Sequence, residues 1–125
     1  MPDRRQRLGR RAEDFVARRL QEQGWELVDR NARTRTGEID LIALDGPTLV
    51  FVEVKAGRVG SPTGPVSPAH AVGPRKQAKI RLLAREWLGA GRSPSGVAGY
   101  RFDVVGVLVD TATGGVDVDH IRNAF

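Results

Sequence analysis

Two apolar runs, Glu38 to Leu44 and Leu49 to Lys55, flank the turn-forming stretch Asp45-Gly46-Pro47-Thr48 and carry charge where charge is costly. Gly37-Glu38-Ile39-Asp40-Leu41-Ile42-Ala43 brings two carboxylates into the first run. Val52-Glu53-Val54-Lys55 brings a carboxylate and an amine into the second. An ionised side chain left unpaired in apolar surroundings neutralises or finds a partner. Short apolar runs around a Gly-Pro turn predict a β-hairpin. A loop formed by residues 45–48 pairs Leu44 with Leu49 and sets Asp40 opposite Glu53, and Pro47 favours that length. Side chains alternate faces with period two, so Asp40, Glu53 and Lys55 then share one side of the sheet. A tighter turn slides the pairing and puts Glu38 opposite Glu53. An odd-numbered loop separates the carboxylates.

Two acids and an amine on one face suggest a site built around a cation. Hard cations such as Mg²⁺ take oxygen ligands, commonly one or two carboxylates with substrate phosphate and water. Asp40 and Glu53 can supply such oxygens, and the backbone carbonyl of Val54 another. A bound Mg²⁺ or Mn²⁺ activates water and offsets phosphate charge. Lys55 is placed to hold the attacking water or to meet developing negative charge. The plainer alternative is a surface salt bridge from Lys55 to Asp40 or Glu53, worth roughly 0–1 kcal/mol.

Around the hairpin, residues 8–23 predict a helix, with Leu8, Ala12, Phe15, Val16 and Leu20 at helical spacing and Gly24 as its stop. Glu13 falls beside the edge of that stripe, within reach of a neighbouring element. Trp25 to Val28 predicts a short strand, and Asn31 to Thr36 a polar connection. Residues 56–73 hold four Gly and three Pro and predict a functional or mobile loop. Pro74 opens a second helix, ended by Gly89, whose apolar face is Ile80, Leu83, Ala84, Trp87 and Leu88. Lys76 projects near that face, either snorkelling or serving the site. Tyr100 to Val109 predicts a central strand, and Val116 to Ile121 an edge strand. The order α-β-β-β-α-β-β predicts one α/β domain over residues 1–125, a mixed sheet flanked by helices.

Charge narrows the partner. Lys and Arg total 20 against 15 acids, a net charge of +5, and arginine dominates. Arginine forks suit phosphate oxygens, and such a basic balance is the footprint of a nucleic-acid binder. Seven aromatics, four Phe, two Trp and one Tyr, are too few for an extended base-stacking surface. No apolar run reaches the roughly 20 residues of a membrane span, and no signal-like stretch follows the N-terminus. A cytoplasmic address is expected. Without cysteine, thiolate metal sites are excluded. His70 and His120 stand alone in the sequence, Asp103 reads as half of a structural ion pair, and Glu38 opens its strand. Asp117 and Asp119 read as solvated edge charges, and Trp25 and Trp87 as core.

Taken together, Gly9 to Leu20 with Glu13, Asn31, Gly37 to Ile42, Val50 to Lys55, Lys76, Arg101-Phe102-Asp103 and Ile121 to Phe125 resemble the bacterial YraN-like family. That family has the PD-(D/E)XK nuclease fold and is related to archaeal Holliday-junction resolvases and restriction endonucleases. The resemblance covers almost the whole chain. It implies a restriction-endonuclease-like sheet with Asp40 as first metal ligand, Glu53 as second and Lys55 as catalytic lysine. It also implies Glu13 as the helix-borne acid and Lys76 as a supplementary base. The family commonly continues Lys-x-Arg, whereas Ala56-Gly57-Arg58 sets the arginine one position later. The implied activity is Mg²⁺- or Mn²⁺-dependent cleavage of DNA, branched or irregular, by an enzyme that dimerises. Arginines of the first helix, of Arg30 to Arg35 and of Arg75 to Arg85 would follow the phosphate backbone. The rival expectations are a binding or adaptor protein that cuts nothing, and RNA as the substrate.

Overall fold

A computed structural model describes residues 4–59 and 72–125. Most of the Pro/Gly-rich segment, with His70, lies outside the described residues. Helix α1 spans Arg4–Glu22, and strands β1, β2 and β3 span Glu26–Arg33, Glu38–Asp45 and Thr48–Arg58. Helix α2, Pro74–Gly89, connects β3 to β4, Gly99–Val109, and β5, Val116–Ile121, completes the chain. The sheet order is β1-β2-β3-β4-β5, antiparallel throughout except for the parallel pair β3–β4. The architecture is thus a mixed α/β sheet with helices on both faces. No described helix is long and apolar enough to cross a membrane.

Helix α1 ends as Gly24 suggests. Gly24 takes φ +92°, its N–H donates to Gln21, and the Trp25 N–H reaches back to Leu20, the paired bonds of a Schellman stop. The buried stripe of α1 is Ala12, Val16, Ala17 and Leu20. Phe15, expected inside, is 37% exposed, and Ala17 takes its place. A small side chain there lets the helix lie close on Leu41, Ala43, Val50, Val52, Val105 and Val107, the first core.

Helix α2 begins at Pro74, whose missing N–H falls among the donors that a helix leaves unpaired. Its Leu83, Ala84 and Trp87 cover Ala32, Ile39, Ile42, Leu49 and Phe51 on the opposite face of the sheet. Trp87 is 1% exposed, meets Phe51 edge-on and donates its indole N–H to Asp29 at 3.1 Å. Such burial of an aromatic body, with its polar end satisfied, is worth several kcal/mol.

Three boundaries differ from expectation. Strand β1 runs on to Arg33 instead of stopping at Val28, and absorbs Asn31. Its ladder with β2 shifts register between Leu27 and Asp29, and Asn31 takes φ +45°. As a sheet-edge strand, β1 needs a ladder on one side only, which polar residues support through their backbones. The β2–β3 turn is also tighter: Asp45 pairs with Thr48, leaving only Gly46 and Pro47 between strands. Gly46 supplies φ +59° and the Pro47 ring fixes the next φ, a combination that turns the chain without losing the Leu44–Leu49 register. Finally, β3 continues through Ala56 and Gly57 to Arg58, residues expected to lie in the loop.

Candidate functional site

The β2–β3 ladder stops at the pair Leu41–Val52. One step further along the same register, Asp40 faces Glu53. At this point a side chain replaces the ladder: the Val54 N–H donates to Oδ2 of Asp40 at 2.8 Å. A strand residue directs its N–H and C=O to the same side, so the Val54 carbonyl opens on the same gap. Glu53 and Lys55 share the parity of Leu49 and Phe51, and so lie on the α2 side of the sheet.

Glu53 is 8% exposed and one of two buried charged residues among those described. Two ammonium groups compensate it. Lys55 Nζ lies 3.6 Å and Lys76 Nζ 3.4 Å from Oε1. Lys76 is therefore not part of the apolar face of α2. Its side chain is 46% exposed, and from the first turn of the helix its tip reaches over to the sheet.

Asp40 has an unusual affinity for its proton. Burial is the largest cause and the charge of Glu53 the next, and together with Glu13 they lift its carboxyl from 3.8 to about 7, against the opposing bond from Val54. When protonated, Asp40 hydrogen-bonds Glu53. Lys55 and Lys76 both approach Glu53 itself. Ionising Asp40 adds a surplus negative charge that a cation can satisfy.

Glu13 sits on α1, on the other face of the sheet, and helps to raise the Asp40 carboxyl through its charge. Its Oε1 accepts a 2.8 Å bond from Nδ2 of Asn31. Asn31 is the residue that reasoning from sequence left out of the site. The register sets it across from Asp40, and its left-handed backbone swings the amide toward α1. Asparagine tolerates that conformation better than other side-chain-bearing residues. An Asn breaking a strand directly before a Gly-Glu-Ile-Asp run is the signal that marks it. Among the described residues, no three acids or histidines stand close enough to hold a metal ion on their own.

Of the other candidates, Glu38 is exposed and ion-paired with Arg33 at 3.5 Å, away from the cluster. Asp103 is fully buried and belongs to a separate polar knot. Arg101 Nε and Nη2 donate to its two oxygens at 2.9 and 3.0 Å, His120 Nε2 lies 2.8 Å away, and the Asn123 N–H donates at 3.0 Å. Burial alone would raise the Asp103 carboxyl, but the bonds from His120, Arg101 and Asn123 together hold it below the usual carboxylate range.

The profile of the uncharacterised protein family UPF0102 matches residues 12–107, a stretch that contains Glu13, Asn31, Asp40, Glu53, Lys55 and Lys76. The chain belongs to UPF0102. A UPF0102 protein of Rhodococcus jostii is 50% identical over 119 residues, covering 94% of this chain and 95% of its own. A UPF0102 protein of Frankia casuarinae is 48% identical over 118 residues, 94% of this chain and 95% of the relative. One from Desulforapulum autotrophicum is 46% identical across 125 residues, 100% of this chain and 98% of its own. The UPF0102 chain and these relatives therefore correspond nearly end to end.

Proposed function

We propose that this UPF0102 protein is a metal-dependent endonuclease with a restriction-endonuclease-like fold. It hydrolyses phosphodiester bonds, with branched or irregular DNA as the substrate class. The observation that carries the reading is the Asp40–Glu53 pair, set where two central strands part and holding a proton that a divalent cation would displace. The donor set fits Mg²⁺ or Mn²⁺. Asp40, Glu53 and the Val54 carbonyl offer hard oxygens, Glu13 adds charge from α1, and such ions complete their shell with water and substrate phosphate. The bound ion supplies Lewis acidity and offsets charge on the phosphate.

The chain's own groups would do the rest. Lys55, two residues beyond Glu53, orients the attacking water or meets charge as it develops. Lys76, more exposed, is placed to engage the phosphate oxygens from the helix side. Arginines outside the pair hold the strand by its phosphates without reading sequence.

The test is a cleavage panel of linear duplex, single-stranded and four-way DNA, with RNA beside them, in Mg²⁺ or Mn²⁺. Lys55→Ala should cut on the order of 10²–10³-fold more slowly, the usual loss for an oriented charge donor. Equal rates in wild type and Lys55→Ala would assign the cutting to another centre. A second reading, a binding or adaptor protein that cuts nothing, is favoured by the carboxylates' failure to form a cluster of three among the described residues. Calorimetry with Mn²⁺ on wild type and Asp40→Asn separates the two. Absent metal binding in both proteins, with DNA binding retained, selects the adaptor.

A further inference from the structure

Past Val52 the pairing with β2 ends, and among the described residues β3 continues to Arg58 with only β4 beside it. The carboxylate pair lies at the start of this open edge. Arg58 lies at its far end, on the opposite face. Val50 and Val52 pack under α1, and Arg58 shares their parity. An arginine at position 57, as in Lys-x-Arg, would face α2 with Glu53 and Lys55. A displacement of one residue turns it over to α1.

There Arg58 meets the early turns of the helix. Arg7, Leu8, Arg10, Arg11, Asp14 and Arg58 line a cleft of about 510 Å³. The only acid among them, Asp14, is bonded by Arg30. No ion pair among the described residues engages Arg7, Arg10, Arg11 or Arg58. The Arg58 Nε is shut off from solvent and has no hydrogen-bond acceptor among the described residues. A buried donor without a partner is costly, and four gathered guanidiniums repel one another unless an anion sits among them. Guanidinium forks match phosphate oxygens in pairs.

We propose that this cleft binds a backbone phosphate of the same nucleic-acid strand that the carboxylate site addresses. The inference rests on the nuclease reading and adds a second anchor to it. Arg58 lies five steps along the strand from Glu53, about 17 Å at strand rise. Measured along a duplex axis, where each nucleotide rises 3.4 Å, such a span corresponds to about five nucleotides. A cation-binding carboxylate pair and an arginine cleft along one strand suit a phosphate polymer better than a free phosphate ester.

The test is fluorescence anisotropy of a labelled DNA duplex in EDTA, so that nothing is cut, across a range of salt concentrations. The variants are Arg58→Gln, Arg58→Lys and the double variant Arg10→Gln/Arg11→Gln. Arg10 and Arg11 are exposed helical residues, for which glutamine is a comparable helix former. Circular dichroism checks the fold of each variant. Each glutamine variant should weaken binding about tenfold or more, and the salt slope should fall by about 0.9 per lost phosphate contact. Arg58→Lys should recover the salt slope through its retained charge. Wild-type affinity and slope in the glutamine variants would overturn the proposal, as would a wild type that binds no nucleic acid. Tight pyrophosphate binding through these arginines, with DNA affinity indifferent to them, would also overturn it and assign the cleft to a small phosphate ester. Failure of the nuclease reading shows separately, as equal cutting by Lys55→Ala and wild type.

Discussion

In the metal-free protein, Asp40→Asn should melt several degrees above wild type at about pH 8, and the two should converge near pH 4. The sign follows from the raised proton affinity of Asp40. Protonated Asp40 contributes stability that is fully present below its unfolded value of 3.8 and is lost as the pH rises through about 7. Over that window the loss is on the order of 4 kcal/mol, reached in full only above the upper value. Asparagine imitates the protonated carboxyl. It accepts from the Val54 N–H and donates toward Glu53, so it escapes the loss. Adding Mn²⁺ at pH 8 should raise the melting temperature of wild type alone, because only an ionised Asp40 rewards the cation. Thermal denaturation in EDTA and in Mn²⁺, at both pH values, reads all three outcomes. A wild type more stable than Asp40→Asn at pH 8 in EDTA would mean that the carboxylates are already neutralised without a metal.

The opposite outcome is expected at Asp103. Asp103→Ala should cost about 3–5 kcal/mol at neutral pH, the usual penalty for removing one partner of a buried ion pair. The loss is not confined to one bond. Arg101 also donates to Asp45 at 3.1 Å and lies 5.2 Å from the ring centroid of Trp25, with Arg122 5.5 Å from the same ring. His120 meets Trp25 edge-on. Asp103 therefore ties β4 and β5 to the β2–β3 turn and to the start of β1. Because its folded carboxyl titrates below 3.8, its contribution is present above that value and is lost only as the pH falls through the lower, folded value. Urea denaturation at neutral pH and in acid measures the difference, which should shrink in acid. A cost below about 1 kcal/mol at neutral pH would make the knot a surface decoration.

Much of this arrangement is legible in the sequence because it is set by short-range periodicity. The Leu44–Leu49 register, the shared facing of Glu53 and Lys55, and the start of α2 at Pro74 follow from residue spacing alone. What is not legible depends on contacts between distant segments. The length of β1 escapes because its polar residues read as loop, while in the sheet Asp29 is fixed by Trp87 and by Arg92 at 2.7 Å. Exposure of Phe15 follows from how closely α1 lies on the valines below it, which the helical stripe does not encode. Lys76 and Glu53 are separated by a long segment, so their 3.4 Å approach is invisible until the crossover is built. Asn31 sits in a stretch whose composition suggests a connection, and only the bend of β1 turns it toward Glu13.

The single parallel pairing also sets an order of assembly. Strands β1, β2 and β3 follow one another through short turns, whereas β3 must wait for the whole of α2 before β4 can join it. Closing a longer loop costs more entropy, and distant pairings form later. Asp40 and Glu53 are thus brought face to face by the early meander, and Lys76 arrives afterwards with the crossover. In pulse-labelled hydrogen exchange during refolding, amides of the Leu41–Val52 ladder should gain protection before those pairing β3 with β4. Simultaneous protection of both ladders would show that the acids are not aligned until the whole sheet has closed.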